Sequence, residues 1–245
     1  MNKDNINTHD STVYHLDDFD FKANATYTLL SARRSGKSFM IKNLVYLLLK
    51  RKLIDMLYVV SYTASLDEAY TSWIPASLVI HPSKMAQTIE LIMKVQKSLG
   101  SKAKKVCFIF DDFDLTSSSD SINSLYTLGR HFNITTILSA QITTKGVSTS
   151  IRNNTQYLFI RKLNSKTIKD NVFNMLLNTN FDSGNELYEY VKSNTEDYQF
   201  ILYLNDDRAQ NDSIKLVKAT PKKFKFIYTP PPKEIKKLLS NNINK

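Results

Sequence analysis

The sequence predicts an α/β fold with a mainly parallel central sheet flanked by helices, and three observations predict it. From about residue 27 to 160, short apolar and β-branched runs alternate with segments whose apolar residues recur at helical spacing. One run leads straight into a phosphate-loop signature and then a helix. Another, uninterrupted by polar residues, ends in two adjacent acids.

Tyr27-Thr28-Leu29-Leu30 is β-branched and aromatic and predicts the first strand. Across 35–53, Phe39, Ile41, Leu44, Val45, Leu48 and Leu49 recur at helical spacing. Lys50, Arg51 and Lys52 close that helix, where cations favour the negative end of its dipole. Residues 56–61 predict a second buried strand and 78–80 a short third. Ser83 is placed to cap a helix running to about Leu99, with Gly100 as its stop. Residues 106–110 are continuously apolar, as in a strand buried on both faces. A helix is expected over 117–130 and strands over 134–139 and 157–160. Helices near 166–177 and 186–191 and a strand over 198–204 follow. Thr229-Pro230-Pro231-Pro232 breaks regular structure before a short basic helix at 233–239. The expected organisation is an N-terminal extension (1–24), an α/β domain (25–210) and a basic C-terminal tail (211–245), with residues 1–15 polar and loose.

Composition narrows the class. Apolar residues make up 42% and charged residues 23%, as in a soluble globular chain. With five glycines, loops must turn on Asn, Ser, Asp and Thr. The net charge of +10 is uneven: residues 1–22 hold five Asp against two Lys, whereas residues 215–245 hold nine Lys against one Glu. Such a basic end suits a polyanion or serves as a solubilising tail. The single Cys107 lies in an apolar run, excludes an internal disulfide and fits core filler in a reducing compartment. The acidic start is not a signal-peptide pattern, and no apolar run is long enough to span a membrane.

Ser31-Ala32-Arg33-Arg34-Ser35-Gly36-Lys37-Ser38 fits the P-loop pattern except that Ser31 replaces its first Gly. Such a loop curls backbone N–H groups around a β-phosphate, its Lys reaches the β- and γ-phosphates and its hydroxyl binds Mg²⁺. A helix opening there turns its positive end to the anion. Ser31 is tolerated if its φ stays negative. Arg33 and Arg34 are placed to touch phosphate or DNA, or form a solvated loop face. With Phe39, which opens the helix, residues 31–39 are the candidate nucleotide-binding set.

Asp111 and Asp112 follow the apolar run at its carboxyl end, where ligands bind in open α/β sheets. In nucleotide hydrolysis the first acid holds Mg²⁺ and the second polarises the attacking water. Asp112 has a shorter reach than Glu. Gln141 ends the next strand, where it can sense the γ-phosphate or the water. Arg130 closes the preceding helix and is a candidate finger for a neighbouring copy's γ-phosphate, or a cation serving the helix dipole. Arg152 and Arg161 compete with it.

Residues 31–38, 108–112, Gly129-Arg130-His131 and Thr136-Ile137-Leu138-Ser139-Ala140-Gln141 together resemble the FtsK–HerA superfamily of P-loop NTPases. The resemblance is strongest to the genome-packaging ATPases of poxviruses, giant viruses and virophages, and covers about residues 25–162. It implies a RecA-like fold of the additional-strand type and ATP hydrolysis, with Mg²⁺, coupled to translocation of double-stranded DNA. It also implies a homo-oligomeric ring, a pentamer or hexamer, docking on capsid proteins, without membrane attachment. The location implied is intracellular, in the host cytoplasm or virus factory and the virion. It assigns phosphate and Mg²⁺ binding to Lys37 and Ser38, Mg²⁺ to Asp111, catalysis to Asp112, sensing to Gln141 and the trans finger to Arg130. Lys145 and the tail lysines are guesses for DNA contact. The alternatives are a helicase-like or segregation ATPase and a nucleotide kinase. A kinase needs an Arg-rich lid, and the acid-ended strand and Gln141 argue against it. A GTPase needs a guanine-reading Asn-Lys-x-Asp after a strand, which the sequence lacks.

Overall fold

The computed structural model describes residues 12–32, 34–63, 68–114, 120–141, 147–163, 172–175, 181–205 and 213–226. Nine strands form one sheet: β1 (Val13–His15), β2 (Thr26–Ser31), β3 (Met56–Val60), β4 (Val79–Ile80), β5 (Val106–Asp114), β6 (Ile134–Gln141), β7 (Tyr157–Arg161), β8 (Gln199–Leu204) and β9 (Ile214–Lys218). Their spatial order is β1-β9-β8-β7-β2-β6-β5-β3-β4. All neighbours from β7 to β4 are parallel, whereas β8 is antiparallel to both β7 and β9. Thus β6 lies between the phosphate-loop strand β2 and the acid-bearing strand β5, the additional-strand arrangement.

The central strands lie between layers, so apolar runs replace alternation. Every residue of β2 and β3 is buried. Helix α1 (Lys37–Lys50) buries Met40, Ile41, Leu44, Val45, Leu47 and Leu48, each contributing about 1.5–3 kcal/mol. The other helices are α2 (Glu68–Thr71), α3 (Met85–Leu99), α4 (Asp120–Leu128), α5 (Thr149–Asn154) and α6 (Gly184–Asn194).

Several expectations are corrected. Ser83 does not cap α3; it lies in a 3₁₀ turn, Pro82–Lys84, whose own cap is the His81 side chain. The Pro at the turn's start fixes φ, so the α-helix opens only at Met85. Gly100, at φ +51°, is the predicted stop. The helix expected over 117–130 ends at Leu128, and Arg130 lies in a 3₁₀ turn, Gly129–Phe132. Two strands were not anticipated. β1 lies within the stretch read as loose, and β9 within the stretch read as a basic tail. They pair in parallel, Tyr14 opposite Val217, so a long-range partner supplies what their short patterns lack. The helix expected near 166–177 falls largely outside the described residues, as do residues 227–245, Arg33 and Lys145.

Candidate active site

The phosphate loop leaves the carboxyl end of β2. Ser31 is not among the positive-φ residues; Arg34 (φ +55°) and Gly36 (φ +89°) make the left-handed turns. Ser31 therefore fits without strain, and its hydroxyl pairs with that of Ser35 across the loop at 2.5 Å. A Gly could not make that bond. Gly36 opens α1, whose first residue is Lys37. The Lys37 ammonium curls back to donate to the carbonyls of Ser31 (3.2 Å) and Ala32 (3.0 Å). Those carbonyls hold the cation at the loop's mouth, where a phosphate would take it over.

Arg161, the last residue of β7, forms the wall of this loop. It is buried, donates from its guanidinium to Ser35 O and from Nε to Thr195 O (3.4 Å), and lies over the rings of Tyr198 (5.4 Å) and Phe200 (5.5 Å). Tyr198 is half exposed, sits at φ +63° and meets Phe39 at 4.9 Å between ring centroids. A Cβ added to Gly36 would come within 3.0 Å of both Arg161 and Tyr198. At φ +89° any other residue there would be strained and would press on both side chains. A cleft of about 830 Å³ opens beside this wall, lined by Gly36, Phe39, Arg161, Tyr188, Lys192 and Tyr198 among others. Arg161 is thus held against the loop of its own chain. Sequence reasoning named it only as a finger, and it missed Tyr198.

The acids arrive from β5. Asp111 is buried, and Ser139 of β6 is its register partner. Burial pushes its carboxyl above the usual carboxylate range; the Ser139 hydroxyl opposes the rise, Asp112 adds to it, and Tyr70 and Lys37 oppose it. A β-bulge between Asp111 and Phe113 puts Asp112 at φ +57° with its side chain exposed. The bulge breaks strand alternation, so two consecutive acids take different environments. Asp111 Oδ1 and Ser139 Oγ are buried without a hydrogen bond. Among the described residues no three His, Cys, Asp or Glu side chains converge to hold a metal alone. A buried, unpaired carboxylate oxygen near the helix opening fits a divalent cation brought by phosphates, with Asp111 and Ser38 as protein ligands.

Gln141 ends β6 opposite Asp114, which places its backbone at the same sheet edge as the acid pair; its side chain lies outside what is described. The P-loop strand and the acid strand flank β6 on either side, so β2, β6 and β5 deliver Ser31, Gln141 and Asp111 to one edge.

No family model and no curated protein match the sequence. Solved structures do. The genome packaging NTPase B204 from Sulfolobus turreted icosahedral virus 2, in complex with sulfate, aligns with a TM-score of 0.59 at 16% identity, over 82% of this chain and 98% of that one. The DNA-packaging ATPase B204 from Sulfolobus Turreted Icosahedral Virus gives 0.58 at 18%, over 82% and 100%. ATPases 2 and 3 of EssC from Geobacillus thermodenitrificans give 0.56 at 11%, over 92% of this chain and 44% of that one. This chain has the fold of a P-loop ATPase.

In this P-loop ATPase fold, Arg130 sits at the far end of the sheet from the loop. It precedes the amino end of β6, while Ser31 lies near that strand's carboxyl end, about 20 Å away at the rise of a strand. Its side chain is exposed and touches only His131, Nε to Nε2 at 3.4 Å, among the bonds described. Arg152, on α5, is less open, with Nε 3.4 Å from Asn153 Oδ1. Arg130 therefore cannot approach its own P-loop.

Proposed function

We propose that this chain is an ATP-hydrolysing motor that moves double-stranded DNA, packaging a viral genome into a capsid as a ring of five or six copies. The observation that carries the reading is the meeting of a P-loop, a buried acid and an exposed acid at one sheet edge, with an exposed Arg at the opposite edge. The likeness in fold to a genome packaging NTPase, over 82% of this chain, supports the packaging part. The excess of lysine after residue 214 supports a polyanionic partner.

In this reading the loop amides and Lys37 bind the β- and γ-phosphates. Ser38 and Asp111 would hold Mg²⁺, which would supply charge neutralisation on the phosphates. Asp112, exposed on its bulge, orients the attacking water, and Gln141 senses the γ-phosphate. Arg130 of one copy stabilises charge at the site of the next. The wall of Phe39 and Tyr198 offers ring faces for the base.

The test is the ATPase rate with and without double-stranded DNA, run with a native mass measurement. Stimulation by DNA and a pentamer or hexamer are expected. A DNA-indifferent monomer would sink the motor, and wild-type hydrolysis by Lys37→Ala would sink the site.

A further inference from the structure

One buried group at this site has no role so far. Tyr70, in the short helix α2 after β3, is fully enclosed at 1% exposure, yet its hydroxyl has no hydrogen bond. Leaving such a group unpaired costs about 1–3 kcal/mol, whereas Phe would fill the same space without that cost. The ring is not free to turn the hydroxyl elsewhere. Trp73 stacks on it at 6.1 Å and 30°, and the Tyr70 carbonyl accepts from Trp73 N (3.0 Å) and Ile74 N (2.8 Å). Trp73 is itself pinned by the Phe224 ring at 5.0 Å and by Phe226 N donating to its carbonyl at 2.9 Å. The groups that act on the hydroxyl are Asp111 most strongly, then Ser38 and Asp112. Asp111 Oδ1 and Ser139 Oγ share its unpaired state. Three polar atoms are thus buried without a hydrogen bond, and two of them belong to Tyr70 and Asp111, which act on one another electrostatically.

We propose that Tyr70 is a positioning residue for a divalent cation carried in by a nucleoside triphosphate, its hydroxyl holding the Ser38 hydroxyl and the Asp111 carboxylate in the orientation that coordination requires. This rests on the proposed nucleotide site and adds a third element, α2, to it. Groups that bond to metal ligands fix ligand orientation, and losing one typically weakens metal affinity by roughly tenfold or more.

The test is Tyr70→Phe in the full chain, which keeps the ring and removes only the oxygen. Mn²⁺ binding to the complex with a non-hydrolysable ATP analogue is followed by the loss of the free-ion paramagnetic resonance signal. Analogue affinity without cation and the melting temperature are measured alongside. The expected result is an Mn²⁺ affinity weaker by roughly tenfold or more, unchanged cation-free analogue affinity and an unchanged or higher melting temperature. Unchanged Mn²⁺ affinity overturns the proposal, whether or not the melting temperature moves, because a packing role alone predicts that. If wild-type protein binds the analogue and Mn²⁺ while Tyr70→Phe behaves identically, only the Tyr70 role fails. If wild-type protein binds no analogue, the nucleotide reading fails and takes this proposal with it.

Discussion

Removing the Arg161 side chain tests whether this residue shapes the phosphate loop of its own chain. The guanidinium donates two hydrogen bonds inside the fold, to Ser35 O and Thr195 O, and covers two rings, Tyr198 and Phe200. Bonds from a buried cation contribute about 1.5 kcal/mol each at the low end. Each cation–ring contact adds about 0.5 kcal/mol. Arg161→Ala should therefore cost about 4 kcal/mol, and for a domain of this size that lowers the melting temperature by roughly 8–16 °C. Arg161→Lys keeps the charge but loses the fork, so it should recover only part of the loss. The loop between Ser31 and Lys37 loses its wall in both variants, so nucleotide affinity should fall with stability. Thermal melting by circular dichroism, with analogue binding at a temperature where both proteins are folded, reads the two effects. A melting temperature within about 2 °C of wild type, with unchanged nucleotide affinity, would refute the placement of this side chain against the loop.

Arg130→Ala makes the opposite forecast: an exposed side chain with one weak contact should leave melting unchanged while hydrolysis falls. Mixed with inactive Lys37→Ala protein it should partly recover activity, and absence of recovery in rings shown to be mixed argues against action across subunits. Asp111→Asn removes a buried charge with an unpaired oxygen, so nucleotide-free protein should melt at the same or a higher temperature while hydrolysis drops by roughly 10²-fold or more. A clear fall in melting temperature would contradict the account of Asp111. Asp112→Asn, at an exposed position, should leave stability nearly unchanged and lower kcat by about 10²–10⁴-fold with little change in nucleotide affinity; normal turnover would exclude it as the acid. Burial raises the Cys107 thiol far above its usual range, so it stays neutral in the folded state at any working pH. A thiol-alkylating reagent at pH 8 should label it only in denaturant, and rapid labelling of native protein would contradict its place in β5.

The parts legible in the sequence are those that neighbouring residues specify together. The loop at 31–38 was legible because the strand before it and the helix after it are encoded in one continuous stretch, residues 26–50. The acids were legible because a continuous apolar run has only one polar end. The Ser31 departure could be judged tolerable from backbone angle alone, and the structure adds its reason, the bond to Ser35. Asp112's exposure was not legible, since a bulge and a left-handed residue there leave no mark in the letters Asp-Asp-Phe-Asp. Nor were β1 and β9, which are short, polar-edged segments stabilised by each other across 200 residues.

By itself the sequence determined an α/β chain, the alternation of its central strands with helices, and a triphosphate loop with a pair of acids downstream. Those follow from local periodicity and from adjacent residues with a chemistry that needs adjacency. Only the tertiary structure decided which distant side chains complete the site. Sheet order placed β6 between β2 and β5, and so put Ser139 against Asp111. Packing brought Arg161 and Tyr198 over Gly36 and turned Tyr70 toward Ser38 and Asp111. The physical reason is that such contacts join residues far apart in the chain, and their geometry is set by which strands pair and which faces must be buried, not by any pattern near the residues themselves.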